Sequence, residues 1–295
     1  MKKLTLVLCL VFGCALICGC FGVDLENFDA DLEKKETALS QSFTWGLDEV
    51  ESVELEMGNK DAFEVTLSSS SSDDFSVEVY IVKNKKDDVT VSLDGKNLKV
   101  SRPNHKRSVS FYKDKWLGRI VIKCPKNKPL EDLRVFAGLG DLEIRGVSVD
   151  EFYVRGGVGN IKSSDMKIGN IEFSCGVGNI ELSNVVAEKA KIDAGVGNVK
   201  AKKCSLKDFN YEGGVGNLNF TGKLLGKSYL NIGVGSAKLK ILDEKSNYNF
   251  DLSSGVGSVK INGEKLKYQQ DSANAPNTIS VQRGMGNVAI DFENP

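Results

Sequence analysis

Gly157-Val158-Gly159-Asn160-Ile161 is followed by Gly176-Val177-Gly178-Asn179-Ile180, then by Gly195-Val196-Gly197-Asn198-Val199 and Gly214-Val215-Gly216-Asn217-Leu218, each 19 residues after the last. Working outward, the Gly-X-Gly unit recurs as Gly138 with Gly140, Gly233 with Gly235, Gly255 with Gly257 and Gly284 with Gly286, so the first glycines are separated by steps of 19, 19, 19, 19, 19, 22 and 29. Five equal steps are not chance, and a fixed period near 20 residues with one turn per period is the signature of stacked coils. The two longer steps read as loop insertions in the last coils.

Columns taken down the repeat fix the strands. The residue after the first glycine is Leu139, Val158, Val177, Val196, Val215, Val234, Val256 or Met285, and the residue four after it is Leu142, Ile161, Ile180, Val199, Leu218, Ala237, Val259 or Val288. Both columns are expected to face inward. Three before the glycine the column is apolar again, from Val135 and Val154 to Leu252 and Val281. Each coil therefore holds at least two strands meeting at a glycine corner, where the turn and the close approach of stacked coils both disfavour a Cβ. Beside the corner runs a polar column, Asp141, Asn160, Asn179, Asn198, Asn217, Ser236, Ser258 and Asn287. At the inter-strand spacing of about 4.8 Å such amides can bond from coil to coil as a ladder, and eight coils would extend roughly 35 to 40 Å. The next outward column, Glu143, Lys162, Glu181 and Lys200, alternates in sign, which suits parallel stacking.

Upstream of the repeat the period is two. Val53, Leu55 and Met57, then Phe63, Val65 and Leu67, then Phe75, Val77 and Val79 alternate with polar residues, as half-buried strands do. Val89–Leu93 and Asn97–Ser101 flank Asp94-Gly95, a hairpin signal. Five serines, Ser68 to Ser72, mark an exposed loop.

Composition narrows the chemistry. The chain has 295 residues, 41% hydrophobic and 27% charged, enough for one large or two small domains and too apolar for general disorder. Its 39 basic and 40 acidic residues give a net charge of −1, so no global field recruits nucleic acid. Thirty glycines against five prolines are placed residues, not a linker. His105 is the single histidine, which leaves little room for histidine catalysis or a multi-histidine metal site.

The N-terminus reads as an address. Lys2 and Lys3 precede an apolar run from Leu4 to Ile17, the pattern of an export signal, and the run is short for a membrane span. It ends Leu16-Ile17-Cys18-Gly19-Cys20, which resembles the lipobox of bacterial lipoproteins, with Cys20 as the acylated first residue. Ordinary secretion and an uncleaved anchor are the alternatives. Removal of residues 1–19 takes two lysines and no acids, leaving 37 bases and 40 acids, so attachment would come from lipid rather than charge. The expected organisation is a signal peptide over 1–19, a lipid-anchored tether over 20–42, an N-terminal β region over 43–130 and the regular repeat over 131–295. Once the signal is gone and Cys20 is lipidated, Cys124, Cys175 and Cys204 remain, an odd number expected to be buried thiols.

Other chemistries fit the frame poorly. No copy of the glycine unit continues into the third glycine of a dinucleotide fingerprint. Calcium-binding rolls repeat every nine residues with aspartates, whereas here the column is mainly Asn. Outward carboxylates such as Glu181, Asp193 and Glu212 read as solvated strand faces. The stretch Arg102, His105, Lys106, Arg107, Tyr112, Lys113, Lys115 and Trp116 reads as a loop protecting a sheet edge, with contact to phosphate or an acidic glycan as the alternative. No catalytic residue, metal ligand or cofactor is assigned.

The segment Ile120-Val121-Ile122-Lys123-Cys124-Pro125, then Leu133-Arg134-Val135 and the copies Gly138-Leu139-Gly140-Asp141-Leu142-Glu143-Ile144 and Gly176-Val177-Gly178-Asn179-Ile180-Glu181-Leu182, resembles the toastrack-type "putative adhesin" domain family of unknown function. The resemblance covers roughly 43–290. It departs at Cys124, where Val usually precedes the proline, and in its regular Gly-Val-Gly-Asn corners. It implies an all-β, single-stranded right-handed parallel β-solenoid, a place in the cell envelope, and no catalytic residues to transfer. The expectation is a non-enzymatic lipoprotein, held at a membrane by its lipid and presenting a binding surface to a surface glycan or an envelope protein. An envelope-stress or assembly adaptor bound to a membrane protein is the alternative; a polysaccharide-acting enzyme is a third reading.

Overall fold

In a computed structural model of the chain, residues 36–58, 62–83, 85, 87–102, 116–253, 255–265 and 275–293 are described. Those residues form an all-β fold whose one helical turn is the 3-10 segment Lys245–Asn247. The expected lipidation site Cys20, its signal and most of the basic stretch lie outside them.

Each repeat contributes a strand before the glycine corner and a strand after it. Leu130–Leu139, Ser148–Val158, the second halves of Ile161–Val177 and Ile180–Val196, then Phe209–Val215 and Lys227–Val234 pair in parallel as one ladder. Leu142–Arg145, the first halves of the two long strands, Val199–Lys207, Leu218–Leu225 and Ala237–Ile241 form the other. The register equals the sequence period: Ile161, Ile180, Val199, Leu218 and Ala237 are partners in succession. All five are buried, as are Val154, Phe173, Ile192, Tyr211 and Leu230 opposite them. Aromatic rings bridge the interior; Phe152 meets Phe173 edge-on at 5.0 Å, and Phe209 of one ladder stacks near Phe220 of the other at 6.3 Å.

A second bend column divides the coil again. Gly146, Asp165, Asn184, Lys203 and Gly222, also 19 apart, all have positive φ. Asp and Asn tolerate this conformation better than other side chains, and Asn184 Nδ2 bonds Asp165 Oδ1 at 2.8 Å to tie the bends together. Beyond this bend a third short segment pairs in parallel, residues 166–168 against 185–187.

Three expectations are corrected. The column between the paired glycines does not face the core: Val215 is 39% exposed, Met285 50% and Val256 66%, and Val158, Val177, Val196 and Val234 are half-buried. The inside/outside alternation of a strand ends at a corner, so a residue between two glycines sits on the outside of the bend. Ser68, Ser69 and Ser70 are not loop; they end strand Ala62–Ser70 and pair with Lys123, Cys124 and Pro125. Residues 37–42, expected in the tether, belong to strand Thr37–Trp45, which pairs antiparallel with Phe75–Val82.

The coils are also not stacked in chain order, so the stack is not a simple sequential solenoid. Strand Asn277–Met285 lies between Lys227–Val234 and Tyr248–Leu252, and Val288–Phe292 lies between Ala237–Ile241 and Val259–Ile261. The last coil in sequence is therefore the penultimate coil in space. The corner glycines record the same order: the Gly286 corner packs on that of Gly235, and the Gly257 corner packs on that of Gly286 rather than on that of Gly235, which precedes it in the chain. The other end mirrors this: Ser52–Glu56 sits between Asn97–Ser101 and Leu130–Leu139, and Ala62–Ser70 between Trp116–Pro125 and Leu142–Arg145. At both ends the terminal coil is paired on two edges, and antiparallel strands extend the sheets beyond the N-terminal coil. One of them, Thr90–Asp94, forms the expected hairpin with Asn97–Ser101, turning at Gly95 with φ +59°.

Candidate functional site

The corner that sets the shape of the coil uses its two glycines differently. The second glycine of each pair, Gly140, Gly159, Gly178, Gly197, Gly216, Gly235, Gly257 and Gly286, has φ between +116° and +150°. A Cβ on Gly178 would also lie 1.9 Å from the Gly159 carbonyl oxygen, one on Gly235 1.8 Å from that of Gly216, and one on Gly257 1.9 Å from that of Gly286. The first glycine has no such φ and is needed only for close approach, a Cβ on Gly157 falling 2.3 Å from Gly138 O.

The polar column forms a ladder, mainly from side chain to backbone. Asp141 Oδ1 accepts the Asn160 N–H at 2.8 Å, Asn160 that of Asn179 at 3.1 Å, Asn179 that of Asn198 at 2.9 Å, Asn198 that of Asn217 at 3.0 Å and Asn217 that of Ser236 at 3.0 Å. Direct amide-to-amide bonds join Asn179 to Asn160 and Asn217 to Asn198. At the far end Asn287 serves Ser258. Glycines and ladder are thus parts of the scaffold that holds the strands of two outer faces in register.

The first outer face lies over the strands before the corner and is dished into an open groove of about 740 Å³. Phe136 and Tyr153 sit side by side in it, ring centres 5.6 Å apart. Two of its cations, Arg134 and Lys191, are paired within the face. Arg134 bonds Asp132 at 2.7 Å, a contact that holds its guanidinium above the usual value. Lys191 bridges Glu172 at 3.1 Å and Asp193 at 3.3 Å, and the hydrogen bond it donates to Glu172 is the main cause of its raised ammonium pKa. Asn170 Nδ2 bonds Glu151 Oε1 at 2.5 Å. Flat rings beside fixed donors and acceptors suit a polar ligand laid along the face.

The second face lies over the strands after the corner and is lysine-rich. Lys162, Lys200, Lys238 and Lys260 are exposed on it, with Lys202 and Lys240 two residues further along their strands. Lys200 reaches Glu181 at 3.8 Å and Lys240 reaches Glu293 at 2.7 Å, whereas Lys162, Lys202, Lys238 and Lys260 have no ion pair among the described residues.

The remaining expected groups fall outside both faces. Cys124, Cys175 and Cys204 are buried free thiols, Cys175 and Cys204 donating to the carbonyls of Gly159 and Lys202; burial pushes the thiol of Cys124 up to about 12, that of Cys175 up to about 11, and raises Cys204. Arg102 is paired with Asp88 and lies over the Phe63 ring at 5.8 Å, a packed position rather than a loop cation. Among the described residues no cluster of three or more His, Cys, Asp or Glu is placed to hold a metal. The groove and the second bend column were not anticipated from the sequence; Asp165 and Asn184 at the repeat spacing were the available signal for the bend.

The family described as Toastrack DUF4097 matches residues 52–291. No curated protein matches the chain. Among solved structures, a protein named "putative adhesin" from Bacteroides fragilis is 16% identical, covering 88% of this chain and 98% of its own with a TM-score of 0.49. Another of that name from Parabacteroides distasonis is 12% identical over the same shares, with a TM-score of 0.46. A protein from the same organism named "Putative lipid binding protein" is 14% identical over 86% and 96%, with a TM-score of 0.42.

Proposed function

The chain belongs to the Toastrack family, and we propose that it is a non-enzymatic, lipid-anchored, adhesin-like protein of the cell envelope whose stacked strand faces bind a surface glycan or an envelope protein. The observation that carries the reading is the pair of long outer faces, one grooved and one lysine-rich, each built from repeated coils and rich in polar side chains held in register. Such a surface recognises by pattern along its length rather than by a cluster of reacting groups. Single-stranded coils of right hand accord with the preference of parallel crossovers. The lipobox-like Leu16-Ile17-Cys18-Gly19-Cys20 supports acylation at Cys20 after removal of 1–19.

Protease treatment of intact and permeabilised cells, with Cys20→Ala as the anchor control, tests this. Digestion on intact cells with release of the variant to the medium is the expected result. Protection until permeabilisation would put the domain inside the envelope and favour an adaptor bound to a membrane protein.

A further inference from the structure

The geometry points to a linear acidic polysaccharide, with one carboxylate per disaccharide, lying along the lysine-rich face parallel to the stack. This rests on the binding reading above and names the partner class for one of its two faces.

The argument starts from register. Lys162, Glu181, Lys200, Asn219, Lys238, Ala289 and Lys260 are successive partners across the coils, so they form one straight column. From Lys162 to Lys260 lysine occupies every second place; toward the N-terminal end the column continues through Glu143, Thr66 and Val121, where the alternation stops. Adjacent parallel strands lie about 4.8 Å apart, which puts the four lysines at intervals of roughly 9.6 Å. That is the length of one repeating disaccharide in an extended acidic glycan. Lys260 keeps the interval only because the C-terminal coil is intercalated; in chain order it would stand directly beside Lys238.

Between the teeth the charge fades in one direction. The intervening residues run Glu181, Asn219, Ala289, so the half of the face toward Lys260 has no acid in this column to neutralise its lysines. A second row, Lys202 and Lys240, repeats the two-coil interval with Thr221 between them. Small and hydroxyl-bearing residues there, Ser183 and Thr221, leave room for a sugar ring and offer it hydrogen bonds. The groove face, by contrast, mixes both signs, with Arg134 and Lys191 held by acids on the same face.

The test is binding by the full chain to hyaluronan fragments, to polygalacturonate fragments with a carboxylate on every sugar, and to neutral cello-oligosaccharides. Hyaluronan fragments spanning the four lysines are expected to bind and to weaken about tenfold or more as salt shortens the Debye length. The combined Lys162→Gln, Lys200→Gln, Lys238→Gln and Lys260→Gln variant should lose binding with an unchanged melting temperature, since all four side chains are exposed. Asn219→Lys with Lys238→Asn keeps the net charge but moves a tooth to the neighbouring coil, and should weaken binding several-fold.

Unchanged hyaluronan binding in the quadruple variant, or in the moved-tooth variant, would overturn the inference. So would binding confined to vesicles of anionic phospholipid. Binding of cello-oligosaccharides alone would overturn it while leaving a binding function on the groove. Hyaluronan binding by a protein that is protected on intact cells would support it and remove the surface location instead.

Discussion

Ser258 donates both its backbone N–H and its hydroxyl to Oδ1 of Asn287, at 3.1 and 3.0 Å, although Asn287 follows it by 29 residues in the chain. Everywhere else in the ladder the acceptor precedes the donor. The reversal records the intercalation of the last coil, which fills the place that chain order would give to residues 248–261. A solenoid frays from its ends because a terminal coil is paired on one side only. Here the chain end is the coil with two neighbours, and the exposed position falls to a segment held by the chain on both sides.

Hydrogen exchange should follow spatial order rather than chain order. Amides of Asn277–Met285 are expected to exchange as slowly as those of Phe209–Val215, and those of Tyr248–Leu252 faster by roughly tenfold or more, because sub-global opening starts at the free edge. Native-state exchange read by NMR or mass spectrometry checks it; fraying that begins at residue 293 and proceeds inward would contradict the intercalated order.

Alanine at the second corner glycine should be far more costly than alanine at an ordinary turn. Gly178→Ala meets the Gly159 carbonyl oxygen at 1.9 Å with φ at +147°, so backbone must shift as well as strain, and a loss above about 4 kcal/mol is expected. Gly95→Ala also carries positive φ but meets nothing within 4 Å, and should cost only about 1–2 kcal/mol. Denaturant unfolding of the two variants separates conformation from close approach.

The ladder predicts an order of three at one position. Asn198→Ala removes the acceptor of the Asn217 N–H and should cost about 0.5–1.5 kcal/mol, the usual net worth of a hydrogen bond that water can partly replace. Asn198→Asp keeps the acceptor, as Asp141 does for Asn160, and should cost less than alanine. Unfolding midpoints at pH 7 would show wild type above Asp above Ala; equality of Asp and Ala would mean that the oxygen acceptor at 198, which serves both the Asn217 N–H and its Nδ2, does not carry the effect.

Much of this fold was legible because a 19-residue repeat projects the same chemistry onto the same place. Leu142, Ile161 and Ile180 are core, and Gly178 is a corner, for reasons visible in the column alone. What escaped was whatever the column does not encode. Val215 and Leu218 are equally apolar and three residues apart, yet only Leu218 is buried, since alternation has no meaning across a bend. Lys203 hides the second bend because lysine is not a residue that signals positive φ. Coil order was hidden for the opposite reason: Gly255-Val256-Gly257-Ser258 repeats Gly233-Val234-Gly235-Ser236 residue for residue and Gly284-Met285-Gly286-Asn287 does not, so similarity points to the wrong neighbour. The candidate lysine face inherits that difficulty, its alternation being readable from Glu143 to Lys200 and its regular spacing at Lys260 only from the pairings.

The ridge and core should accordingly respond differently to polar or shortened side chains. Val215→Ser is expected to change stability by no more than about 0.5 kcal/mol, as surface substitutions do. Leu218→Ala should cost about 2–5 kcal/mol through the cavity it leaves. A large loss for Val215→Ser would show that the ridge is covered in the folded protein.

The buried thiols set a pH limit from above. Desolvation disfavours the thiolate, so the native state holds the Cys175 and Cys124 protons up to about 11 and about 12, against 9.0 for the free group. Below pH 9 both folded and unfolded chains keep these protons, and the groups' contribution to stability is fully present. Above it the unfolded chain binds fewer protons than the native one, so stability falls with rising pH through both groups together, the Cys175 contribution running out near 11 and that of Cys124 near 12. Denaturation midpoints between pH 8 and 11 should decline, and Cys175→Ala should flatten the early part of the decline. At pH 8 a thiol reagent should leave all three cysteines of the folded domain unmodified and titrate them only on unfolding, because the reactive species is the thiolate and each sulfur is buried. Rapid labelling of Cys124 in the native protein would mean that the strands around it open far more readily than their double-sided pairing implies.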